Sequence, residues 1–118
     1  MHGGIEWLVD GYGCAPGKLR DRAAVLGLLD QIVAAMELHV VSTAVHVFPG
    51  AGGITALYLL AESHLTIHTF PEAGTVTLNA YCCTPRRPAA WPALLAAWLG
   101  ATDVAATEHV RGREAGRP

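Results

Sequence analysis

Residues 63–83 read SHLTIHTFPEAGTVTLNAYCC, two alternating stretches joined by a short turn containing Pro71 and Gly74. Side chains two positions apart share a face of a strand, so one face of this hairpin is apolar and suited to burial beneath helices. An ordinary solvated face would favour Lys and Glu. The opposite face instead concentrates hydroxyl, imidazole, amide and thiol groups: His64, Thr66, His68, Thr75, Thr77, Asn79, Tyr81 and Cys83. We therefore expect a second protein surface or a reaction site to cover it.

The flanking sequence predicts the other strands. Two β-branched stretches, residues 39–48 and 53–61, are separated by the glycine-containing segment PGAGG and predict another hairpin. Residues 5–12 alternate and predict a first strand, on which Asp10 and Tyr12 share one face of the sheet. A short last strand is expected at residues 103–111, and the tail, residues 112–118, is expected to be frayed.

Two helices are predicted between these strands. Asp21 is a suitable N-cap, and the first helix ends near Leu38. Its apolar stripe is Val25, Leu29, Ile32 and Met36. The second helix is predicted over residues 89–99, with an apolar stripe of Trp91, Leu94, Leu95 and Trp98. The predicted fold class is α+β, a two-layer sandwich with a mainly antiparallel sheet and two helices on one face. The element order is β-α-β-β-β-β-α-β, in a single domain over residues 1–118.

Composition excludes several classes of function. A chain of 118 residues with 52% hydrophobic residues can bury one core, and a net charge of −2 with eight Lys and Arg argues against nucleic-acid binding. No apolar run reaches the ~20 residues of a membrane span, and the N-terminus lacks the pattern of a signal peptide. We expect a cytoplasmic protein with no membrane partner. Three cysteines without CxxC spacing predict neither a disulfide framework nor a metal site.

The polar face of the hairpin contains groups that could catalyse a reaction. Ser63, His64, His68 and Cys83 could supply a nucleophile, bases and a thiol acid, which leaves several reactions open. A serine hydrolase is disfavoured because the chain has no GxSxG elbow. A zinc protease is disfavoured because the segment that carries both histidines alternates as a strand and lacks the Glu of HExxH.

One longer motif is more specific. Residues 62–74, ESHLTIHTFPEAG, closely resemble the processing-site signature of the prokaryotic S-adenosylmethionine decarboxylases. LVDGYGC near the start resembles that family's first strand and turn. AVHVF, the following glycines and Thr55 resemble the strand before the processing hairpin, and Cys83 has the spacing of the family's catalytic cysteine. Nearly the whole chain can be aligned with the family.

The resemblance implies an autocatalytic proenzyme. The chain would cut itself between Glu62 and Ser63 into a β chain, residues 1–62, and an α chain, residues 63–118. Ser63 would become a covalent pyruvoyl group, so no external cofactor is required. His68 would act as the base in processing, Thr55 would support processing, and Cys83 would reprotonate the substrate. Because Ser63 and His68 are five positions apart, an ideal strand would place them on opposite faces, so Ser63 must lie at a bend or bulge.

The resemblance also implies the substrate and the assembly. S-adenosylmethionine would form a Schiff base with the pyruvoyl group and lose carbon dioxide, a step of spermidine biosynthesis. Asp10, Trp7 and Glu62 are the expected substrate contacts, and the polar sheet faces of two copies would pack together in a homodimer. His39 and His46 are expected to lie outside the active site.

Recognition of the substrate is where the chain departs from the family pattern. Asp10 replaces a glutamate, Asn79 an aspartate, and Thr84 a glycine. One alternative is therefore a pyruvoyl-dependent arginine or ornithine decarboxylase, whose substrate would be a basic amino acid. A second alternative is a non-catalytic dimeric pseudoenzyme.

Overall fold

A computed structural model of the chain describes residues 3–112, and it is built around one sheet of six antiparallel strands. Their spatial order is β2-β3-β4-β5-β1-β6. The strands are β1 (Gly4–Tyr12), β2 (Val40–Val47), β3 (Ile54–Leu60), β4 (Ser63–Phe70), β5 (Thr75–Cys82) and β6 (Asp103–Arg111). All six expected strands are present, and the predicted antiparallel α+β architecture is confirmed. Apart from Gly112, the tail expected to be frayed lies outside the described residues.

Helices cover one face of this sheet: α1 (Pro16–Leu19), α2 (Arg22–Met36) and α3 (Trp91–Leu99). Helix α2 begins where predicted, because the Asp21 carboxylate accepts a hydrogen bond of 3.0 Å from the Ala23 N–H. It ends two residues before the expected Leu38, since Glu37 adopts the left-handed conformation with φ 55° and closes the last turn. No helix within residues 3–112 is long and apolar enough to cross a membrane.

Helix α1 and a 3₁₀ turn at Pro71–Ala73 were not expected from the sequence. Each is about one turn long, too short for apolar periodicity to reveal it. Helix α1 nevertheless contributes the fully buried Leu19 to the core. The Thr69 hydroxyl ties it to the sheet, donating to the Leu19 carbonyl at 2.7 Å and accepting from the Ile54 N–H at 2.9 Å.

The two faces of the central hairpin differ as the alternation predicts. The helix-covered face is buried at Leu65, Ile67, Val76, Leu78, Ala80 and Cys82. Helices α2 and α3 approach closely above it, and a Cβ at Gly27 would lie 2.3 Å from the Trp98 ring. The opposite face, which we call the open face, has no helix over it. It carries the predicted hydroxyl and imidazole groups and three exposed leucines, Leu8, Leu57 and Leu59.

Candidate active site

The bond between Glu62 and Ser63 lies in the turn that joins β3 to β4. Leu60 pairs with Ser63, so Ala61 and Glu62 form a two-residue hairpin turn. Ser63 has φ 148°, a conformation that residues with a side chain rarely adopt and that stores backbone strain. This strained backbone lies at the bond that the sequence motif predicts to be cleaved, while the pairing of β4 with both neighbouring strands runs through Ser63 without a bulge.

Cys83 lies directly beside this bond. Ser63 pairs with Cys82 in the β4–β5 register, and the Cys83 N–H donates a hydrogen bond of 2.8 Å to the Glu62 carbonyl oxygen. The side chain of Cys82 is buried in the core, and burial raises the pKa of its thiol to about 11. Cys83 follows the last residue of β5 and is half-buried, so it is the accessible thiol of the adjacent pair.

The Glu62 carboxylate is buried and fully engaged. One oxygen accepts the backbone N–H of His39 at 3.0 Å, while the other lies 2.5 Å from His39 Nδ1 and 3.2 Å from an Arg86 guanidinium nitrogen. The hydrogen bond from His39 holds the pKa of Glu62 below its ordinary value, despite an opposing effect of burial. We call His39 and Arg86 the Glu62 clamp. Glu62 thus lies at the predicted cleavage site with its carboxylate held by residues of its own chain. The contact between Glu62 and substrate stays a prediction.

A second group of predicted residues lies farther along the open face. Thr55 pairs with His68 across β3 and β4, and the Thr55 hydroxyl lies 2.9 Å from His68 Nδ1. His68 in turn pairs with Thr77, and Thr77 pairs with Asp10. The register therefore places Asp10 on the face that carries His68, a choice that the sequence left open.

Two cavities border His68. One, of about 310 Å³, lies towards the β2–β3 turn and includes Phe48, Thr55 and Phe70 in its lining. The other, of about 300 Å³, includes Leu8 and Asp10 in its lining. The exposed imidazole therefore stands between two depressions of the open face, each with apolar and polar walls.

The two groups are too far apart to act on one another within a single chain. Ser63 and His68 lie on the same strand, five positions apart. At about 3.3 Å per residue their Cα atoms are separated by roughly 16 Å, far beyond hydrogen-bond reach. The structure thus brings Glu62, Ser63 and Cys83 together at one end of β4, and Thr55, His68 and Asp10 together nearer its other end.

Trp7 lies away from both groups. It is 2% exposed on the helix-covered side of the sheet, with its ring centroid 6.3 Å from that of Trp91. Its indole N–H donates a hydrogen bond of 2.8 Å to Glu108. Because Trp7 faces the core of its own chain, on the opposite side from Asp10, its predicted contact with substrate gains no support from this position.

Two residues of the site, the Glu62 clamp, were not expected from the sequence. His39 was expected to lie outside the active site, yet it follows α2 at the point where the chain passes beside the β3–β4 turn. Arg86 belongs to the segment between β5 and α3, 24 positions from Glu62. The sequence signal for Arg86 was its position between Pro85 and Pro88. Prolines restrain the backbone, and a restrained segment can hold an arginine side chain in place for a specific contact.

A polar network also spans the open face near the start of β1. Asn79 bridges two other residues, lying 3.0 Å from His64 Nε2 and donating to Glu6 at 2.6 Å. Arg111 also donates to Glu6 and lies over the Tyr81 ring. The hydrogen bond from Asn79 is the largest cause that lowers the pKa of Glu6. The carboxylate is thus held in place as an ordered part of this face.

The chain matches one family over most of its length. A family model described as S-adenosylmethionine decarboxylase matches residues 5–112. The chain belongs to the S-adenosylmethionine decarboxylase family. The family predicted from the processing motif is therefore confirmed.

Relatives of known name support the same membership. A protein of Pyrobaculum islandicum named S-adenosylmethionine decarboxylase proenzyme is 36% identical over 72 residues, 61% of this chain and 58% of the relative. A Clostridium botulinum protein of the same name is 29% identical over 83 residues, 70% of this chain and 71% of the relative. The match thus spans less than two thirds of the Pyrobaculum protein.

A solved structure of the family has the same fold. The crystal structure of the adenosylmethionine decarboxylase from Aquifex aeolicus matches with a TM-score of 0.80 and 28% identity. The alignment covers 99% of this chain and 97% of that chain. The element order and the sheet described above are therefore those of an S-adenosylmethionine decarboxylase over nearly all of both chains.

Proposed function

We propose that this chain is a self-cleaving, pyruvoyl-dependent S-adenosylmethionine decarboxylase. The observation that carries the proposal is the Glu62–Ser63 bond. Its serine has the strained φ of 148°, and its carbonyl oxygen accepts the Cys83 N–H at 2.8 Å. A strained residue beside a polarised carbonyl is suited to an acyl shift. Membership of the family supports the same reaction, and the relatives' printed name, proenzyme, agrees with it.

Self-cleavage begins at the Ser63 hydroxyl. Its oxygen forms a bond to the Glu62 carbonyl carbon, the carbon–nitrogen bond breaks, and the hydroxyl proton passes to the nitrogen, which leaves an ester. The Cys83 N–H stabilises the negative charge that develops on the carbonyl oxygen. Serine is required because its esterified oxygen can then leave from the β-carbon.

The second stage needs a base at Ser63. Loss of the α-proton breaks the bond between the β-carbon and the ester oxygen, releases the main-chain carboxylate of Glu62 as the new C-terminus of the β chain, and leaves dehydroalanine at position 63. Addition of water and loss of ammonia complete the pyruvoyl group. His68 is the proposed base, and the Thr55 hydroxyl at 2.9 Å from Nδ1 orients its ring.

The roughly 16 Å between Ser63 and His68 on one strand supports a base that comes from a second copy of the chain. We therefore infer a homodimer in which the open faces of two protomers meet and each protomer completes the other's site. Exposed apolar side chains support contact across this face, since Leu8 and Leu59 are 43% and 49% exposed among polar neighbours.

In the mature enzyme the pyruvoyl group would supply a carbonyl that accepts the electrons left when carbon dioxide departs. The residues beside it fit such a group, because Ser63 is its source and Cys83 lies next to the same bond. The Cys83 thiol would deliver a proton to the substrate α-carbon. Asp10, beside the cavity that borders His68, would hold a polar or cationic part of the substrate.

Two assays test this function. Denaturing mass spectrometry of the purified protein should show two chains, the second beginning with a pyruvoyl group, and Ser63→Ala should remain uncut. Processed protein is then given S-adenosylmethionine, arginine or ornithine separately, and release of carbon dioxide is measured. We expect release from S-adenosylmethionine; release from a basic amino acid alone would overturn the proposed substrate, and cleavage of Ser63→Ala would overturn the assigned serine.

A further inference from the structure

The turn that contains the cleavage site is an unusual hairpin. Two-residue hairpin turns favour positive φ at their central residues and are usually built with glycine or asparagine. This turn consists of Ala61 and Glu62, and the residues with positive φ other than glycine within residues 3–112 are Glu37 and Ser63. The strain therefore falls on Ser63 itself. Such a conformation persists only where neighbouring contacts hold it.

Those contacts converge on the residue before the cut. The His39 carbonyl accepts the Ala61 N–H at 2.8 Å, so the segment that leads into β2 is fastened to the turn. The Glu62 clamp then holds both carboxylate oxygens: the His39 backbone N–H contacts one, and His39 Nδ1 and Arg86 contact the other. With the Cys83 N–H on the carbonyl oxygen, Glu62 is held by both its side chain and its backbone.

The clamp has a clear energetic basis. A buried carboxylate without partners is costly, whereas a carboxylate paired with a guanidinium and with N–H donors is stable and fixed in orientation. Glu62 is 6% exposed, and three different segments of the chain meet around it. Rotation of its backbone would break these contacts, so the carbonyl carbon keeps one orientation towards Ser63.

We propose that His39 and Arg86 are positioning residues for self-cleavage, which hold the Glu62 carboxylate so that the Glu62 carbonyl carbon is presented to the Ser63 hydroxyl. This inference rests on the proposed self-cleavage and extends it to residues that do not take part in bond making. The clamp acts at the acyl shift, before the base removes the α-proton of Ser63.

The test follows cleavage over time. Proenzyme is made by cell-free translation, quenched in denaturant at intervals and analysed by mass spectrometry, with and without hydroxylamine, which cuts an ester but leaves an amide intact. The variants are His39→Ala and Arg86→Ala. The matched control is Arg87→Ala, because Arg87 is the exposed neighbour of Arg86.

We expect cleavage of His39→Ala and Arg86→Ala to slow by on the order of 10- to 100-fold, the effect of misplacing a reacting group by a fraction of an ångström to 1 Å. Arg87→Ala should cleave within about twofold of the parent rate. The stalled clamp variants should resist hydroxylamine, because they stop as the amide. A His68→Ala chain, which stops at the later step, should be cut by hydroxylamine.

Several results would overturn the proposal: parental rates in both clamp variants, equal slowing in Arg87→Ala, or stalled clamp variants that hydroxylamine cuts. Folding is checked by near-ultraviolet circular dichroism in a Ser63→Ala background. If an alanine variant does not fold, Arg86→Gln is tested instead. Self-cleavage slowed by roughly threefold or more would support the proposal, and self-cleavage at the parental rate would contradict it. A parent chain that never cuts itself would refute the proposed function, whereas a parent that cuts beside unaffected clamp variants would refute this inference alone.

Discussion

Mixing two inactive variants tests whether His68 acts across the dimer. In His68→Ala the serine is intact but the base is missing, and in Ser63→Ala the base is intact but the serine is missing. Neither variant can process itself, because every copy in its homodimer lacks one of the two groups. Within one chain the two positions are roughly 16 Å apart along β4, so a complete site needs both protomers. In a mixed dimer one of the two sites has both groups, Ser63 from one protomer and His68 from the other.

The expected yield follows from the pairing statistics. Equal co-expression with random pairing gives mixed dimers as about half of all dimers, so about half of the His68→Ala chains have a partner that carries His68. We therefore expect about half of the His68→Ala chains to be cut and all Ser63→Ala chains to stay whole. A tag on one variant separates the two chains by mass in denaturing mass spectrometry.

Two results would refute this reasoning. The first is cleavage of His68→Ala expressed alone at the parental rate, which would mean that His68 is not the base. The second is absence of cleavage in mixed dimers that the tag shows to be present, which would mean that the two sites are not shared. Mixing His68→Ala with a chain that lacks both groups is the control, and it should give no cut chain.

Further predictions concern side chains at defined positions. In the uncut Ser63→Ala background, Thr69→Val removes a hydroxyl that satisfies two buried backbone groups. We therefore expect a loss of about 2–4 kcal/mol in the free energy of unfolding, measured with urea, and a loss below about 1 kcal/mol would contradict this role. Thr55→Val should slow self-cleavage about tenfold by freeing the His68 ring, while Thr55→Ser should keep the parental rate in the same time course. The folded state lowers the pKa of Glu62 from 4.5, so its stabilising effect is fully present above about pH 4.5 and is lost as the pH falls through the lowered value. In a Ser63→Ala background, urea unfolding of Glu62→Gln should therefore lose less stability than its parent as the pH falls below about 4.5. An unchanged acid dependence would contradict the clamp's electrostatic role.

Local pattern was sufficient to predict the sheet and the helix-covered face. Alternation from Leu65 to Cys82 places apolar side chains on one face, and the core lies there. The stripe from Val25 to Met36 predicts α2 because burial on one side of a helix repeats every three to four residues. The strands, the helix and the buried face depend on residues within a few positions of one another, so they can be predicted from the sequence pattern alone.

The candidate site was only partly predictable, because its contacts join distant segments. The motif marks Ser63, but no local rule shows that His39 and Arg86 converge on Glu62, 23 and 24 positions away. The spacing of five positions already predicted that Ser63 and His68 would not share a face of one strand. Once both residues lie on β4, the rise per residue also gives the distance between them.

The central claim is that the Glu62–Ser63 bond breaks to form a pyruvoyl group, and the most direct measurement is the mass of the freshly purified chain under denaturing conditions. We expect two chains, residues 1–62 and 63–118, and the mass of the second should be lower by one ammonia than the mass that simple hydrolysis would give. A single intact chain after prolonged incubation, or a second chain that begins with serine, would contradict it.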